Sequence, residues 1–374
     1  MRTIAIIGAS LAGLRSAQAL RQQGFDGRIV VVGDEVHLPY DRPPLSKDFL
    51  LGKCEAVPLA DQEDLDALNV EWRLGNRATA LLSSGEVALQ DGTIAADGVV
   101  IATGGLPRAI PGSHVLRTLD DATRLRNALT DAQSVAVIGA GFIGAEVASS
   151  ARALGKEVTV VEALPTPLTR VLGAEMGAAC GQLHGDHGST LITGVNVDSV
   201  NIKHDGINPE VDGIKLGDGR HVNAQVVIAG IGTRPATDWL AGGPVKIDNG
   251  VVCDAGGVTN LKNIVAVGDV ANCAGHRAEH WTSATEQAQV AARNLLAGDT
   301  VATHTNGGYV WSDQYGVRIQ FIGRATNDVR VEDGSIEDRK FVATYRDGAN
   351  PEDVVGILAM SNARLFTRFR RNLK

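Results

Sequence analysis

The chain has 374 residues, of which 44% are hydrophobic and 21% are charged, and its formal net charge is -8 at pH 7. This length is sufficient for two or three domains, and the composition is that of an ordinary globular protein, which excludes a largely disordered chain. The acidic balance argues against nucleic-acid binding by the chain as a whole, because such binding favours a basic domain.

The N-terminal apolar run is predicted to be a strand that enters a nucleotide-binding loop. Gly8, Ser10 and Gly13 interrupt the run, which a signal peptide would keep continuous. No stretch of 18 apolar residues occurs anywhere in the chain, so we expect no membrane span and a cytoplasmic protein.

The cysteines show no motif spacing. No two of them are close in sequence, so the chain has neither a C-x-x-C pair nor the spacing of a zinc site, and we expect no metal. We interpret them as buried or idle thiols in a reducing compartment. They are Cys54, Cys180, Cys253 and Cys273.

A strand–helix–strand unit is predicted at the N-terminus. Thr3–Ile7 and Arg28–Val32 are short β-branched runs typical of buried parallel strands, and Leu11–Gln23 has the composition of a helix. The intervening loop approximates the fingerprint G-x-G-x-x-G, with serine in place of the second glycine. An acid after the second strand can accept hydrogen bonds from a ribose; Glu35 is favoured, with Asp34 as the close alternative. The predicted site residues of this unit are Gly8, Ser10, Ala12, Gly13, Asp34 and Glu35.

The same unit recurs about 130 residues later, here with a complete fingerprint. Ser134–Ile138 and Glu157–Val161 are predicted strands that flank a helix ending near Leu154. Glu162 ends the second strand, where a carboxylate binds the 2′-hydroxyl of NAD and repels the 2′-phosphate of NADP. The neighbours Ala163–Pro165 offer no cation for that phosphate, so NADH is favoured over NADPH. The predicted NAD site comprises Gly139, Gly141, Phe142, Ile143, Gly144, Glu162, Gly230, Ile231 and Gly232.

Two mononucleotide-binding units on one chain favour two bound dinucleotides, and FAD with NAD is the economical pair. A strand is predicted before Gly268–Asp269 and a helix over Ser283–Leu296, followed by antiparallel strands such as Arg318–Ile322 and Lys340–Tyr345. The sequence therefore predicts an α/β fold with two Rossmann-like dinucleotide-binding domains and a small C-terminal α+β domain. The expected boundaries are 1–112 with 231–303 for FAD, 113–230 for NAD and 304–374 for the C-terminal domain.

Five segments together resemble the ferredoxin reductases of bacterial oxygenase systems, over essentially the whole chain. They are Tyr40–Lys47 (Y-D-R-P-P-L-S-K), Ala102–Gly104 (A-T-G), Gly268–Asp269, Glu279–Trp281 and Trp311–Gln314. The resemblance implies the architecture of glutathione reductase. It also implies an FAD site that includes Arg42, Pro43, Lys47, Ala102, Thr103, Gly104, Gly268, Asp269 and Trp281.

The resemblance assigns roles to several of these residues. Asp269 is expected to hydrogen-bond the ribityl chain of FAD, and Lys47 to lie by the flavin ring, paired with Glu146. A lysine in that position can stabilise negative charge that develops on reduction. The alternatives are a solvated surface lysine and an ordinary helix carboxylate. Trp281 and Trp311 are candidates to flank the flavin, with core packing as the alternative.

The motif lacks the cysteine pair of the disulfide reductases. Leu45–Ser46 stands within it, and Cys54 lies outside it. Electrons are therefore expected to leave for an external acceptor. The predicted function is that of a ferredoxin–NAD(+) reductase, with hydride from NADH to bound FAD and then single electrons to a [2Fe–2S] ferredoxin that serves a cytochrome P450 or a ring-hydroxylating dioxygenase. The alternatives are a rubredoxin reductase, an NADH-sensing flavoprotein like apoptosis-inducing factor, and an NADH oxidase or peroxidase.

The last eleven residues predict a basic amphipathic helix. Its cations can attract an acidic ferredoxin, or form a solvated face that suits the dipole at a helix C-terminus. The cations are Arg364, Arg368, Arg370, Arg371 and Lys374, and the apolar residues at helical spacing are Leu365, Phe366, Phe369 and Leu373.

Overall fold

The computed structural model describes residues 1–204, 209–305 and 307–373. The chain divides into two units, each built from three segments. The first unit comprises Met1–Asp41, Val57–Leu106 and Thr233–Gly307, and the second comprises Arg42–Ala56, Pro107–Gly232 and Gly308–Lys374.

The first unit is built on a five-stranded parallel sheet. Four of its strands are almost completely buried, as expected for parallel strands that are covered on both faces, whereas the edge strand Val70–Arg73 is half-buried. In spatial order the strands are Ile264–Ala266, Gly98–Ile101, Thr3–Ile7, Arg28–Val32 and Val70–Arg73. The helices are Leu11–Gln22, Gln62–Ala67 and Trp281–Ala297, with 3₁₀ turns at Asp238–Leu240 and Gly268–Val270.

Smaller strand groups complete the first unit. Ala78–Leu81, Val87–Leu89 and Thr93–Ile94 form an antiparallel sheet, and Val251–Cys253 pairs in parallel with Ala271–Cys273. Two further short strands are Thr233–Pro235 and Gly105–Pro107, the second of which ends on the first residue of a second-unit segment.

The second unit contains a four-stranded parallel sheet in the order Thr190–Thr193, Glu157–Glu162, Ser134–Ile138 and Val226–Ala229. Its helices are Leu119–Asp131, Phe142–Ala153 and Thr169–Asp186, the last kinked at Gly173 (φ 75°), and Pro43–Ser46 is a 3₁₀ turn. An antiparallel sheet follows, with strands Val197–His204, Pro209–Leu216 and His221–Asn223.

The C-terminal part of the second unit is a five-stranded antiparallel sheet. In spatial order its strands are Val310–Gln314, Val317–Gly323, Val354–Met360, Lys340–Arg346 and Val329–Ser335. The chain then forms the helix Ala363–Phe369 and the 3₁₀ turn Arg370–Asn372.

One apolar core joins the kinked helix to the C-terminal sheet. Leu172, Met176 and Leu183 of the helix pack in one cluster with Phe341 and Tyr345 of the sheet. Tyr345 is fully buried, and its hydroxyl donates to the carbonyl of Leu172 at 2.7 Å, which removes the cost of burying an unpaired phenol.

The strands predicted at Thr3–Ile7, Arg28–Val32 and Ser134–Ile138 are confirmed at both ends. The helix expected over Ser283–Leu296 begins two residues earlier, at Trp281, because the extended backbone ends at His280. Residues 42–56, which the expected boundaries give to the FAD domain, cluster with the second unit. The three-domain division stays a prediction.

Candidate functional site

The first glycine loop forms a tight connection between strand and helix. A Cβ atom on Gly8 (φ +123°) would meet the carbonyl oxygen of Ala102 at 2.1 Å, and one on Gly13 would meet the carbonyl oxygen of Gly8 at 1.8 Å. Ser10 is the N-cap residue of the helix Leu11–Gln22, and in the described chain its side chain makes no capping hydrogen bond. The N–H groups of this helix end therefore suit an anion such as a pyrophosphate.

The two acids after the second strand have different environments. Asp34 forms an exposed ion pair with Arg77, with 3.0 Å between Nε and Oδ1, and this pair raises the pKa of Arg77. Glu35 accepts a hydrogen bond from the hydroxyl of Tyr40. That bond orients the Glu35 carboxylate, which is consistent with the preference for Glu35; the ribose role of either acid stays a prediction.

Gly268 and Asp269 form a 3₁₀ turn whose backbone is tied from two sides. Gly268 has a φ of +72°, and its N–H donates to Oε1 of Gln287 at 2.8 Å. The guanidinium of Arg277 donates to the carbonyl of Asp269 at 3.0 Å. Sequence reasoning missed both supporting residues; the available signal for Gln287 is a polar residue on the buried face of a helix.

Trp281 is held by polar and charged neighbours in the first unit. Its indole N–H donates to Oδ1 of Asp41 at 2.9 Å, and the guanidinium of Arg15 lies 5.9 Å from its ring. Trp311, in the second unit, stacks on Tyr309 with 5.8 Å between ring centroids. Contact of either tryptophan with a flavin stays a prediction.

The A-T-G segment follows the strand Gly98–Ile101. The N–H of Ala102 donates to the carbonyl of Ile7 at 2.7 Å, beside the first glycine loop. Thr103 donates its hydroxyl to the carbonyl of Ala236 at 2.8 Å, and Gly104 has a φ of 69°. The segment is therefore fixed to the loop predicted to bind FAD.

The second glycine loop has the same close contacts and a more open face. A Cβ on Gly139 (φ +95°) would meet the carbonyl oxygen of Gly230 at 2.5 Å, and one on Gly144 would meet that of Gly139 at 2.0 Å. Among the described atoms, nothing lies within 4 Å of a Cβ built on Gly141. Ile143 is 48% exposed and Ile231 is 38% exposed. This open, apolar surface at a helix N-terminus fits a dinucleotide.

Glu162 lies over this loop. Its Oε2 accepts from the N–H of Ala140 at 2.8 Å, and its Oε1 accepts from the N–H of Leu164 at 2.9 Å. A carboxylate oxygen can accept more than one hydrogen bond, so a ribose hydroxyl can still be bound. The nearby Gly232 adopts a φ of 90°, and its carbonyl accepts from the N–H of Arg108 at 2.9 Å.

A buried charge pair joins the Tyr40–Lys47 motif to the helix of the second fingerprint. Nζ of Lys47 lies 2.8 Å from Oε2 of Glu146. The Glu146 side chain is 4% exposed and that of Lys47 is 21% exposed. The hydroxyl of Ser46 donates to the same Oε2, and the hydroxyl of Ser312 donates to Oε1 at 2.7 Å. A buried carboxylate is costly unless it is paired and hydrogen-bonded, and both oxygens of Glu146 have such partners.

The motif segment is anchored within the second unit. Pro43 occupies the first turn of the 3₁₀ helix, where the missing N–H costs nothing. Arg42 donates to the carbonyl of Arg117 at 3.1 Å, and Ser150 donates its hydroxyl to the carbonyl of Ser46 at 2.7 Å. These bonds hold Lys47 at Glu146. Ser46 and Ser312 lie in segments that carry the resemblance, but the sequence assigned neither of them a role toward Glu146. Ser150 carries no local signal and was missed.

The C-terminal helix has the predicted division of faces. Phe366 is 2% exposed and packs on the C-terminal sheet, together with partly buried apolar neighbours. Arg370 lies over the ring of Tyr309, at 5.6 Å from the centroid. The exposed cations Arg364, Arg368 and Arg371 line a groove that also includes Asp333. Lys374 lies outside the described residues.

Residues 1–204, 209–305 and 307–373 lack two features, a metal-binding cluster and a membrane-spanning helix. No group of three or more His, Cys, Asp or Glu side chains is arranged there to hold a metal ion. None of the helices in these ranges has the length and apolar character needed to cross a membrane.

Comparison with known families accounts for nearly the whole chain. The pyridine nucleotide-disulphide oxidoreductase family matches residues 2–291, and the reductase C-terminal family matches residues 309–374. The ferredoxin–NAD(+) reductase subunit of a benzene 1,2-dioxygenase system from Pseudomonas putida is 37% identical, covering 86% of this chain and 80% of the relative. The corresponding component of a p-cumate 2,3-dioxygenase system from Pseudomonas putida is 34% identical, covering 99% and 93%.

Solved structures give the same result. A ferredoxin reductase of the CYP199A2 system from Rhodopseudomonas palustris has a TM-score of 0.91 at 30% identity, covering 99% of this chain and 94% of its own. The covalent complex of putidaredoxin reductase with putidaredoxin has the same TM-score and identity, covering 99% and 92%. A water-forming NADH oxidase from Lactobacillus brevis is 19% identical with a TM-score of 0.86, which shows a shared fold alone.

Proposed function

Because the chain belongs to the pyridine nucleotide-disulphide oxidoreductase family, within its branch of ferredoxin–NAD(+) reductases of oxygenase systems, we propose that it transfers electrons from NADH to a [2Fe–2S] ferredoxin. The observation that carries this proposal is the pair of glycine loops in which Gly8, Gly13, Gly139 and Gly144 leave no room for a Cβ atom. It is joined by a buried lysine–carboxylate pair in a motif without cysteine. The ferredoxin in turn serves a cytochrome P450 or a ring-hydroxylating dioxygenase.

FAD is the cofactor to which the first unit is assigned. When bound, FAD accepts a hydride from NADH and releases electrons one at a time. The loop Gly8–Gly13 would hold its pyrophosphate at the helix N-terminus, and Glu35 its ribose. Asp269, whose backbone is tied by Arg277, would bind the ribityl chain.

NADH is the donor to which the second unit is assigned. The open face at Gly141 would receive the pyrophosphate, and Glu162 would accept from the adenosine ribose. The same carboxylate repels a 2′-phosphate, and Ala163, Leu164 and Pro165 supply no compensating cation. NADH is therefore preferred to NADPH.

Lys47 and Glu146 have a positioning and electrostatic role in this proposal. Ser46 and Ser312 hold the Glu146 carboxylate, and Glu146 holds the Lys47 ammonium. An ammonium fixed in this way stabilises negative charge on a reduced cofactor without reorganisation. No protein nucleophile is required.

The acceptor is proposed to be external because the motif contains no thiol. Cys54, which is the cysteine nearest to the motif in sequence, has its pKa raised by partial burial and by the charges of Asp48 and Glu55. A thiol with a raised pKa is a poor nucleophile at neutral pH. This argues against an oxidase or peroxidase that works through cysteine. We place the reaction in the cytoplasm, where NADH is available.

The test is NADH-driven cytochrome c reduction by the flavin-loaded protein, with and without a [2Fe–2S] ferredoxin. We expect a stimulation of at least about tenfold that weakens as salt is raised, because charge complementarity sets the encounter rate. A rubredoxin and NADPH serve as matched comparisons for acceptor and donor. Stimulation by rubredoxin and not by ferredoxin would identify rubredoxin as the acceptor. Stimulation by neither protein would overturn the proposal.

A further inference from the structure

Two cysteines that are distant in sequence meet in the first unit. Cys253 ends the strand Val251–Cys253, Cys273 ends the strand Ala271–Cys273, and the two residues are partners in the parallel register. Their sulfur atoms lie 3.2 Å apart. Separation by 20 positions hid this contact from the sequence, which suggested only idle thiols.

The backbone at this pair suits a covalent bond. Neighbouring strands lie about 4.8 Å apart, and directly paired residues of parallel strands project to the same face. Disulfides are formed between Cα atoms about 4.4 to 6.8 Å apart, so the strand spacing lies within the required range. The two sulfur atoms therefore need only a small approach to bond.

We propose that Cys253 and Cys273 are an oxidisable thiol pair that hydrogen peroxide converts reversibly into a disulfide. Nothing in this chemistry requires FAD, NADH or a ferredoxin, so the proposal stands apart from the electron-transfer function. The oxidant is a small neutral molecule that can enter from solvent.

Access is easier for one of the two thiols. Cys253 is 5% exposed, whereas Cys273 is only partly buried and borders an exposed turn. That turn contains Ala274 (φ 51°) and Gly275 (φ 87°), and backbone hydrogen bonds between Cys273 and His276 close it at 2.9 and 3.0 Å. Peroxide therefore meets Cys273 first.

The contact between the thiols divides their roles. The hydrogen bond with Cys253 lowers the pKa of Cys273, and the same bond together with burial raises the pKa of Cys253. The thiolate is the reactive form of cysteine. Cys273 is therefore the attacking thiol, and Cys253 is the resolving thiol.

The reaction balances in two steps. The Cys273 thiolate attacks one peroxide oxygen; an S–O bond forms, the O–O bond breaks, and hydroxide leaves and takes a proton to become water. The Cys253 sulfur then attacks the Cys273 sulfenic acid; the S–S bond forms, the S–O bond breaks, and a second water leaves with the Cys253 proton. Two thiols lose two electrons in total, and one peroxide becomes two waters.

The other cysteines provide internal controls. Burial raises the pKa of Cys180 to about 12, and Cys54 also has a raised pKa. Both belong to the second unit, apart from the pair. The double variant Cys54→Ser/Cys180→Ser therefore leaves the proposed chemistry intact.

The experiment treats the reduced holoprotein with a small excess of hydrogen peroxide and counts free thiols after denaturation. We expect the count to fall from the four of the sequence to two, with a mass loss of about 2 Da, a proteolytic peptide linking Cys253 to Cys273, and full reversal by dithiothreitol. The Cys54→Ser/Cys180→Ser protein should lose both of its remaining thiols. Cys273→Ser and Cys253→Ser should form no linked peptide.

Three results would overturn the proposal. They are an unchanged thiol count, a linked peptide that contains Cys54 or Cys180, and a sulfinic acid on Cys273 without any crosslink. Should Cys253→Ser fail to fold, the peptide map of the unaltered chain and the Cys273→Ser variant decide the matter. The thiol count does not depend on electron transfer. A negative result in the ferredoxin assay would therefore overturn the proposed function without affecting the proposal for the cysteine pair.

Discussion

Ser312 donates its hydroxyl to Oε1 of Glu146 at 2.7 Å, while Lys47 and Ser46 occupy the other oxygen of the same carboxylate. The partners come from separate parts of the second unit: the motif segment, the helix Phe142–Ala153 and the first strand of the C-terminal sheet. The direction of the Lys47 ammonium thus depends on a hydroxyl 166 positions beyond Glu146.

Removal of this hydroxyl should destabilise the protein. In Ser312→Ala, the long contact of 3.4 Å with the N–H of Asp313 is the one that Oε1 of Glu146 keeps among the described residues. The side-chain amide of Gln314 also loses its acceptor, the Ser312 hydroxyl, at 3.0 Å. We expect the free energy of unfolding to fall by about 1–3 kcal/mol, the cost of a lost hydrogen bond to a buried charge. Denaturant unfolding measures it. Ser84→Ala, which removes an exposed hydroxyl from Glu86, should change stability by less than about 0.5 kcal/mol; equal effects would contradict the role of burial.

Lys47→Met should make the bound flavin harder to reduce. The variant keeps the apolar stem of the side chain and removes the positive charge that we propose stabilises the reduced cofactor. We expect the two-electron midpoint potential to fall by about 30 mV, which corresponds to about 1.4 kcal/mol. Equilibration with redox dyes measures the potential. Lys53→Met, at an exposed position of the same segment, is the control. A midpoint potential that does not change in Lys47→Met would contradict the electrostatic role proposed for Lys47.

Glu162→Gln should weaken the preference for NADH. The neutral amide can still accept from the N–H of Ala140, but it no longer repels a 2′-phosphate. We expect the ratio of kcat/KM for NADH to that for NADPH to fall about tenfold, or about 1.4 kcal/mol. Glu157→Gln, at the exposed start of the same strand, should leave the ratio unchanged. An unchanged ratio in both variants would show that a group other than Glu162 distinguishes NADH from NADPH.

His184 should make stability depend on pH. Burial lowers its pKa from 6.5 to about 4, and its Nδ1 lies 2.9 Å from the hydroxyl of Tyr315. Between these pH values the unfolded chain binds a proton at this histidine that the folded protein does not bind. The contribution of neutral His184 to the free energy of unfolding is therefore fully present above about pH 6.5 and is lost as the pH falls toward 4. His184 should therefore contribute a loss of about 2 kcal/mol between pH 7 and pH 5.

Denaturant unfolding at the two pH values checks this contribution. The His184→Gln variant can keep a hydrogen bond to Tyr315 and cannot titrate, so its loss of stability should be smaller than that of the unaltered chain by about the same 2 kcal/mol. His221→Gln, at an exposed position, should behave like the unaltered chain. Identical pH dependence in all three proteins would refute the prediction.

The exposed arginines of the C-terminal helix should govern ferredoxin encounter. In Arg364→Glu/Arg368→Glu we expect the KM for ferredoxin to rise several-fold at low salt, with kcat unchanged and the difference vanishing at high salt. Steady-state kinetics over a salt series measures this. Arg220→Glu, another exposed arginine of the second unit, matches the change of charge per residue and should have little effect. A rise that persists at high salt would point to lost packing instead.

Local sequence signals predicted the parts of the fold that depend on local chemistry. The strand Thr3–Ile7 and the glycine loop after it are encoded by adjacent residues, so both could be recognised. The motif around Lys47 was found through resemblance to a family, which also supplied its partner Glu146. The roles of Ser312 and Gln287 could not be predicted, although Ser312 lies in a segment that carries the resemblance and Gln287 in a predicted helix. Each role arises only when a distant part of the chain folds beside the residue.

The same reasoning explains the cysteines. Cys253 and Cys273 become neighbours because two strands of three residues pair in one particular parallel register. A shift of that register by one residue would send one of the two side chains to the opposite face. Sequence spacing carries no information about such a register.

The bond from Tyr345 to Leu172 bears on protein engineering. Because the kinked helix Thr169–Asp186 shares one core with Phe341 and Tyr345, an excised fragment of residues 113–230 would leave Met176 and Leu183 facing water. Chimaeras designed to exchange coenzyme preference between related reductases should therefore transplant the C-terminal sheet together with residues 113–230, or replace the apolar residues on this face of the helix with polar ones.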